Sequence, residues 1–128
     1  MTPEEEIRNL FAAYAAGFDD ADAAAVTTRF VYPATIWQGS EGLVFENAEA
    51  LAKNVEALID VFDEAGIFYT IPEVREIVVA GATGFVSVHW RQEDPDHVQL
   101  NEFACRYLLV RRDDGWRIAT VVNEAVES

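Results

Sequence analysis

The chain has 128 residues, 51% hydrophobic and 12% aromatic, a length that fits one domain spanning residues 1–128 and able to bury a core without staples. Its 23 acidic residues against 9 basic ones leave a net charge of -14, so nucleic acid and anionic membrane surfaces are excluded as expected partners. Cys105 is the only cysteine, which rules out an intrachain disulfide; with an acidic N-terminus unlike a secretory signal and no apolar run of membrane length, this reads as a cytoplasmic protein.

Thr2-Pro3-Glu4-Glu5 opens a first helix: Thr2 is placed to cap it, Pro3 suits its first turn and Glu5 stands at the capping-box position. Ile7, Leu10, Phe11, Tyr14 and Phe18 form its core stripe at helical spacing. Gly17 followed by Asp19 and Asp20 predicts a stop and a new cap, with a short alanine-rich helix over about Ala21 to Thr28. The β-branched and aromatic residues from Phe30 to Gln38 predict a strand, closed by a turn at Gly39-Ser40-Glu41-Gly42, and Leu43 to Phe45 a short second one. Asn47 can cap the longest helix, whose apolar face is Leu51, Val55, Leu58, Ile59 and Phe62 and which ends at Gly66.

Everything after Gly66 reads as strand: Ile67 to Ile71 and Val74 to Ala80, then Phe85 to Gln92, His97 to Arg112 and Trp116 to Val126. Turns at Gly81-Ala82-Thr83-Gly84, Asp94-Pro95-Asp96 and Asp113-Asp114-Gly115 separate them. Both parities of the long fourth segment carry apolar residues: Val98, Leu100, Leu108 and Val110 on one, Phe103, Cys105, Tyr107 and Leu109 on the other. A sheet wet on one side alternates more cleanly, so helices on the concave face and a second copy of the chain on the convex face are expected, making a homodimer.

This order of elements, ending in the hairpin Asp114-Gly115-Trp116-Arg117-Ile118, resembles the NTF2-like superfamily over the full length, in particular its SnoaL-like and ketosteroid isomerase-like branches. The resemblance implies an α+β fold, a cone-shaped barrel in which three helices pack on a strongly curved, mostly antiparallel sheet around a deep apolar pocket. It aligns Tyr14, followed by Asp20, Asp22, Phe30 and Ala34-Thr35, with the isomerase segment that carries the oxyanion tyrosine. The base position of that enzyme then falls on Gln38, an amide that cannot accept a proton at useful pH, and the third position falls near Arg106, a permanent cation. Isomerase activity is therefore not carried over.

Candidate catalytic residues are Tyr14, Arg106 and Glu102, with His89 as an alternative, and candidate ligand-binding residues are Tyr32, Gln38, Trp90 and Thr120. Each has a structural reading beside the functional one. Tyr14 is a core tyrosine or a hydrogen-bond donor to a ligand; Gln38 is a wall residue or the last residue before a surface turn. Arg106 makes a structural ion pair with Glu102 or Glu124, clamps a substrate carboxylate, or orients an acid that activates water. Val86, Val88 and Trp90 form the apolar parity of their strand, which puts Trp90 inward and His89 outward unless a bulge shifts the phase. His89 and His97 lack a metal-ligand spacing, and no phosphate loop or dinucleotide fingerprint is present, so neither metal nor cofactor is expected. The expected function is a small-molecule pocket protein acting on an apolar or polycyclic ligand, as a cofactor-independent lyase, isomerase or hydrolase, or alternatively as a non-catalytic binding or dimerisation domain.

Overall fold

The computed structural model describes residues 1–124. The final two residues of the last expected strand, 125 and 126, lie outside them. Three helices and six strands follow one another as α1 (Pro3–Asp19), α2 (Ala23–Thr27), β1 (Phe30–Gln38), β2 (Glu41–Phe45), α3 (Ala48–Glu64), β3 (Tyr69–Ala80), β4 (Thr83–Glu93), β5 (Gln99–Arg112) and β6 (Gly115–Glu124).

The Thr2 hydroxyl accepts from the Glu5 amide at 3.2 Å and Pro3 occupies the first turn of α1. Gly17 does not stop this helix as expected. A Cβ there would lie 2.8 Å from Cγ2 of Val26, so glycine is required for the close approach of α1 and α2, and α1 runs on to Asp19. The cap of α2 is Asp22, whose carboxylate accepts from the Ala25 amide at 3.1 Å. The Asn47 side chain caps α3 by accepting from the Ala50 amide. At the other end the Ile67 amide reaches back to the Phe62 carbonyl and the Gly66 amide to that of Asp63, with Gly66 at φ 78, a Schellman termination that glycine adopts without strain.

The strands form one sheet in the order β2-β1-β6-β5-β4-β3. Every neighbouring pair is antiparallel except β1 and β6, which are parallel. Pro33 falls where the β1–β6 register breaks, between Phe30 and Thr35. The two strand segments expected around Pro72 are one strand, and β3 is an edge, where a residue without an N–H is tolerated. The expected start of β5 at His97 moves to Gln99. His97 is left-handed, and the Asp94 carboxylate accepts from the amides of Asp96 and Val98, extending the turn.

Facing residues across the sheet define its concave side: Val86, Val88 and Trp90 on β4 stand opposite Tyr107, Cys105 and Phe103 on β5, and Tyr107 opposite Val121 on β6. Ile7, Leu10, Phe11 and Tyr14 of α1 bury against this surface. A bulge interrupts the β5–β6 pairing, so that Leu108 faces Thr120 but Leu109 faces Ile118. The extra residue, Ala119, reverses the parity of β6 beyond it.

Candidate functional site

α1 and the sheet converge at one end of the molecule, where Ile7 and Phe11 pack with Trp116 and Ile118 and leave almost no surface to solvent. Toward the other end they diverge. A cavity of about 830 Å³ opens there between the concave sheet, the end of α1, the second half of α3 and β2. α3 buries only Leu51 and Val55, and its Leu58 and Val61, together with Leu43 of β2, form an exposed apolar collar at the mouth.

The cavity floor is aromatic. The Tyr14 ring lies 5.9 Å from Trp90 and 6.4 Å from Tyr107, and the Trp90 indole N–H donates to the Tyr107 hydroxyl at 2.9 Å. Burial pushes the phenols of Tyr14 and Tyr107 well above the ordinary tyrosine range. Burial likewise raises the Cys105 thiol to about 11, so all three stay protonated at neutral pH. The Cys105 thiol donates to Oδ1 of Asn123 at 3.0 Å.

Around the aromatic floor the uncharged polar lining is mainly carboxamides, Gln38, Asn54, Gln92, Asn101 and Asn123, with Thr70 beside them. Asn101 stands opposite Gln92 across β4 and β5 and donates to its Oε1 at 3.0 Å. Among the described residues the lining includes no Asp, Lys, Arg or His, and its two acids, Glu102 and Glu124, are partly exposed. Asp19, just outside, accepts from the Thr70 amide at 2.8 Å and so fastens the end of α1 to β3; partial burial is the main reason its carboxyl is raised. No group of three or more His, Cys, Asp or Glu side chains capable of holding a metal ion occurs among the described residues.

The sequence candidates divide between this cavity and other surfaces. Tyr14, Gln38 and Trp90 line it together. Arg106 does not: it shares the outward parity of β5 with Ala104 and Leu108, its side chain is 71% exposed, and it pairs with Glu124. Glu102 belongs to the lining, but its carboxylate lies 3.0 Å from Nε2 of His89, whose strand parity faces outward. Thr120, expected at the ligand, is turned to the convex face by the Ala119 bulge and shares a 2.9 Å hydrogen bond with Thr35. Tyr32 donates to the Thr27 carbonyl at 2.8 Å and lines a separate shallow depression with Arg111, Arg112 and Arg117. Gln92, Asn101, Asn123 and Asn54 were not anticipated. For Gln92 the signal was available, since it continues the inward parity of Val86, Val88 and Trp90.

The family described as NTF2-like protein (DUF6841) matches residues 4–126. No curated protein matches the chain. Among solved structures, an NTF2-like protein with a cystatin-like fold from Novosphingobium aromaticivorans superposes with a TM-score of 0.80 at 20% identity, covering 98% of this chain and 82% of its own. The protein Aln2 from a Streptomyces species gives 0.74 at 20% identity, covering 98% and 93%. A ketosteroid isomerase-like protein from Erwinia carotovora atroseptica gives 0.67 at 20% identity, covering 97% and 96%.

Proposed function

The chain belongs to the NTF2-like protein family, and from that premise we propose that it is a small-molecule-binding protein whose cavity takes a neutral, largely apolar ligand of polycyclic size. The observation that carries this reading is the lining itself: an aromatic floor of Tyr14, Trp90 and Tyr107 beneath a set of uncharged amides. Apolar surface supplies affinity in proportion to the area it removes from water, and a few placed hydrogen-bonding groups fix orientation. An anionic ligand group would lose its hydration there without meeting an opposite charge, since the lining holds no Lys, Arg or His. The exposed collar of Leu43, Leu58 and Val61 favours passage of an apolar body.

Binding, rather than proton transfer, is the activity these residues support. Gln38 stands where the isomerase resemblance places the base, and Tyr14, Tyr107 and Cys105 are held in their protonated forms. A proton abstraction needs an acceptor of suitable pKa within hydrogen-bond reach of the substrate, and the two carboxylates of the lining, Glu102 and Glu124, are partly exposed and engaged with His89 and Arg106. Equilibrium dialysis against fluorene and fluorene-9-carboxylate tests the reading. Fluorene is expected to bind and to raise the melting temperature with concentration, whereas the carboxylate does neither; preference for the carboxylate would overturn the reading. The convex face, where Val78 faces Phe85 and both are exposed, is proposed to meet a second copy of the chain. Light scattering is then expected to give twice the 14.3 kDa chain mass.

A further inference from the structure

Gln92 has no solvent exposure, faces the cavity, and carries the only carboxamide nitrogen among the described residues that is both buried and without a hydrogen-bond partner. Its orientation is set by its neighbour. Oε1 of Gln92 accepts from Nδ2 of Asn101 at 3.0 Å, so the oxygen is occupied and the two N–H groups remain free. Turning the Gln92 amide alone would set its NH2 group against that of Asn101, whereas turning both amides would free the Gln92 oxygen instead, the arrangement that a preference for a donor ligand would reveal. An orphaned buried donor is costly relative to one that is paired, so a ligand that supplies an acceptor regains what the empty site forgoes.

The position of this donor within the cavity is also defined. Gln92 follows Trp90 by two residues on the inward parity of β4, and the Trp90 ring stacks with Phe103 of β5 at 6.2 Å and 18°. An apolar ring system lying on the Trp90 side of the floor brings its edge toward the Gln92 amide. We propose, on the basis of the binding function argued above, that Gln92 is a specificity-determining residue which donates to a neutral hydrogen-bond acceptor at the edge of the ligand, and that Asn101 is the positioning residue that keeps this donor aimed. The ligand class is thereby narrowed to uncharged ring compounds bearing a carbonyl, ether or ring-nitrogen acceptor. Pure hydrocarbons and compounds whose only polar edge is a donor are selected against.

Three probes of nearly the same shape separate the outcomes: fluorene has no polar edge, 9-fluorenone presents an acceptor and carbazole presents a donor. Dialysis of the full chain is expected to rank fluorenone roughly tenfold tighter than fluorene, the scale of one net hydrogen bond to a buried donor, with carbazole weakest. Gln92→Leu keeps the volume and removes the amide. It is expected to bring fluorenone down to the affinity of fluorene while fluorene itself is retained, and Gln92→Met provides the same comparison if the leucine variant does not fold. Asn101→Ala is expected to reduce the fluorenone preference severalfold without abolishing it, which a merely structural role would not produce. Equal binding of fluorene and fluorenone, or a preference for carbazole, would sink the role of Gln92 while leaving the binding function intact. Failure of all three probes to bind would remove both.

Discussion

The two faces of the sheet are built from the same strands, and alternate residues of β4 and β5 serve each, yet their polar chemistry differs. On the concave face the polar groups are phenols, a thiol and carboxamides, tied to one another by Trp90–Tyr107, Cys105–Asn123 and Gln92–Asn101 hydrogen bonds. The outward parity carries ion pairs beside the Thr35–Thr120 hydrogen bond: Arg106 with Glu124, His89 with Glu102, Arg91 with Glu93. A chain of net charge -14 thus keeps the two acids of its cavity lining, Glu102 and Glu124, partly exposed and paired with His89 and Arg106, where water can solvate them.

The sharpest way to break this comparison is to truncate one large side chain on each face. Trp90→Ala empties the concave floor and leaves the Tyr107 hydroxyl without its donor, a loss of about 3–5 kcal/mol in urea unfolding together with loss of ligand binding. Phe85 is 53% exposed, so Phe85→Ala is expected to cost no more than about 0.5 kcal/mol in an isolated chain. A larger cost for Phe85→Ala that grows with protein concentration would show that a second copy covers it.

Alkali separates the faces by titration. The Cys105 thiol stands at about 11 against an ordinary 9.0, and burial raises Tyr14 and Tyr107 as well. Groups raised on folding stabilise fully below their ordinary values, and that stabilisation is lost as pH rises toward the folded ones. The unfolding free energy is therefore expected to hold up to about pH 9 and then fall, with Cys105 accounting for up to about 3 kcal/mol by about pH 11. Cys105→Ala is expected to shift the onset upward to where the tyrosines take over. An unchanged onset in that variant would mean that the thiol is better solvated than its burial implies.

How far these faces were legible in the sequence depended on bulges and on sign. The caps of the first and third helices, at Thr2 and Asn47, the hairpin turns and the inward parity of Val86, Val88 and Trp90 could be read directly because each is fixed by residues within a few positions of one another, whereas the second helix's cap, expected at Asp19-Asp20, is Asp22. Simple alternation from the buried Ile118 would point Thr120 inward, and the single extra residue Ala119 turns it out. Gly17 was misread because its reason for being glycine is Val26, nine positions away on another helix. The amide lining was missed for a different reason. Charges and aromatics draw attention as chemistry, whereas Gln92 and Asn101 become informative only when opposed across two strands.

Arg106 offers the smallest expected effect and the most direct test of the division between faces. As a cation set among apolar residues of β5 it was the most suggestive charge in the sequence, and a clamp for a substrate carboxylate was a natural reading. Its side chain is 71% exposed and bound to Glu124, which is itself partly exposed. Pairs of that kind contribute about 0–1 kcal/mol and weaken with salt. Arg106→Leu is accordingly expected to lower stability within that range, to lose even this effect at high salt, and to leave fluorene and fluorenone affinities unchanged within about twofold. A tenfold loss of ligand affinity, with stability preserved, would mean that the arginine reaches the cavity mouth when a ligand is present, and the separation of charge from the binding face would no longer hold.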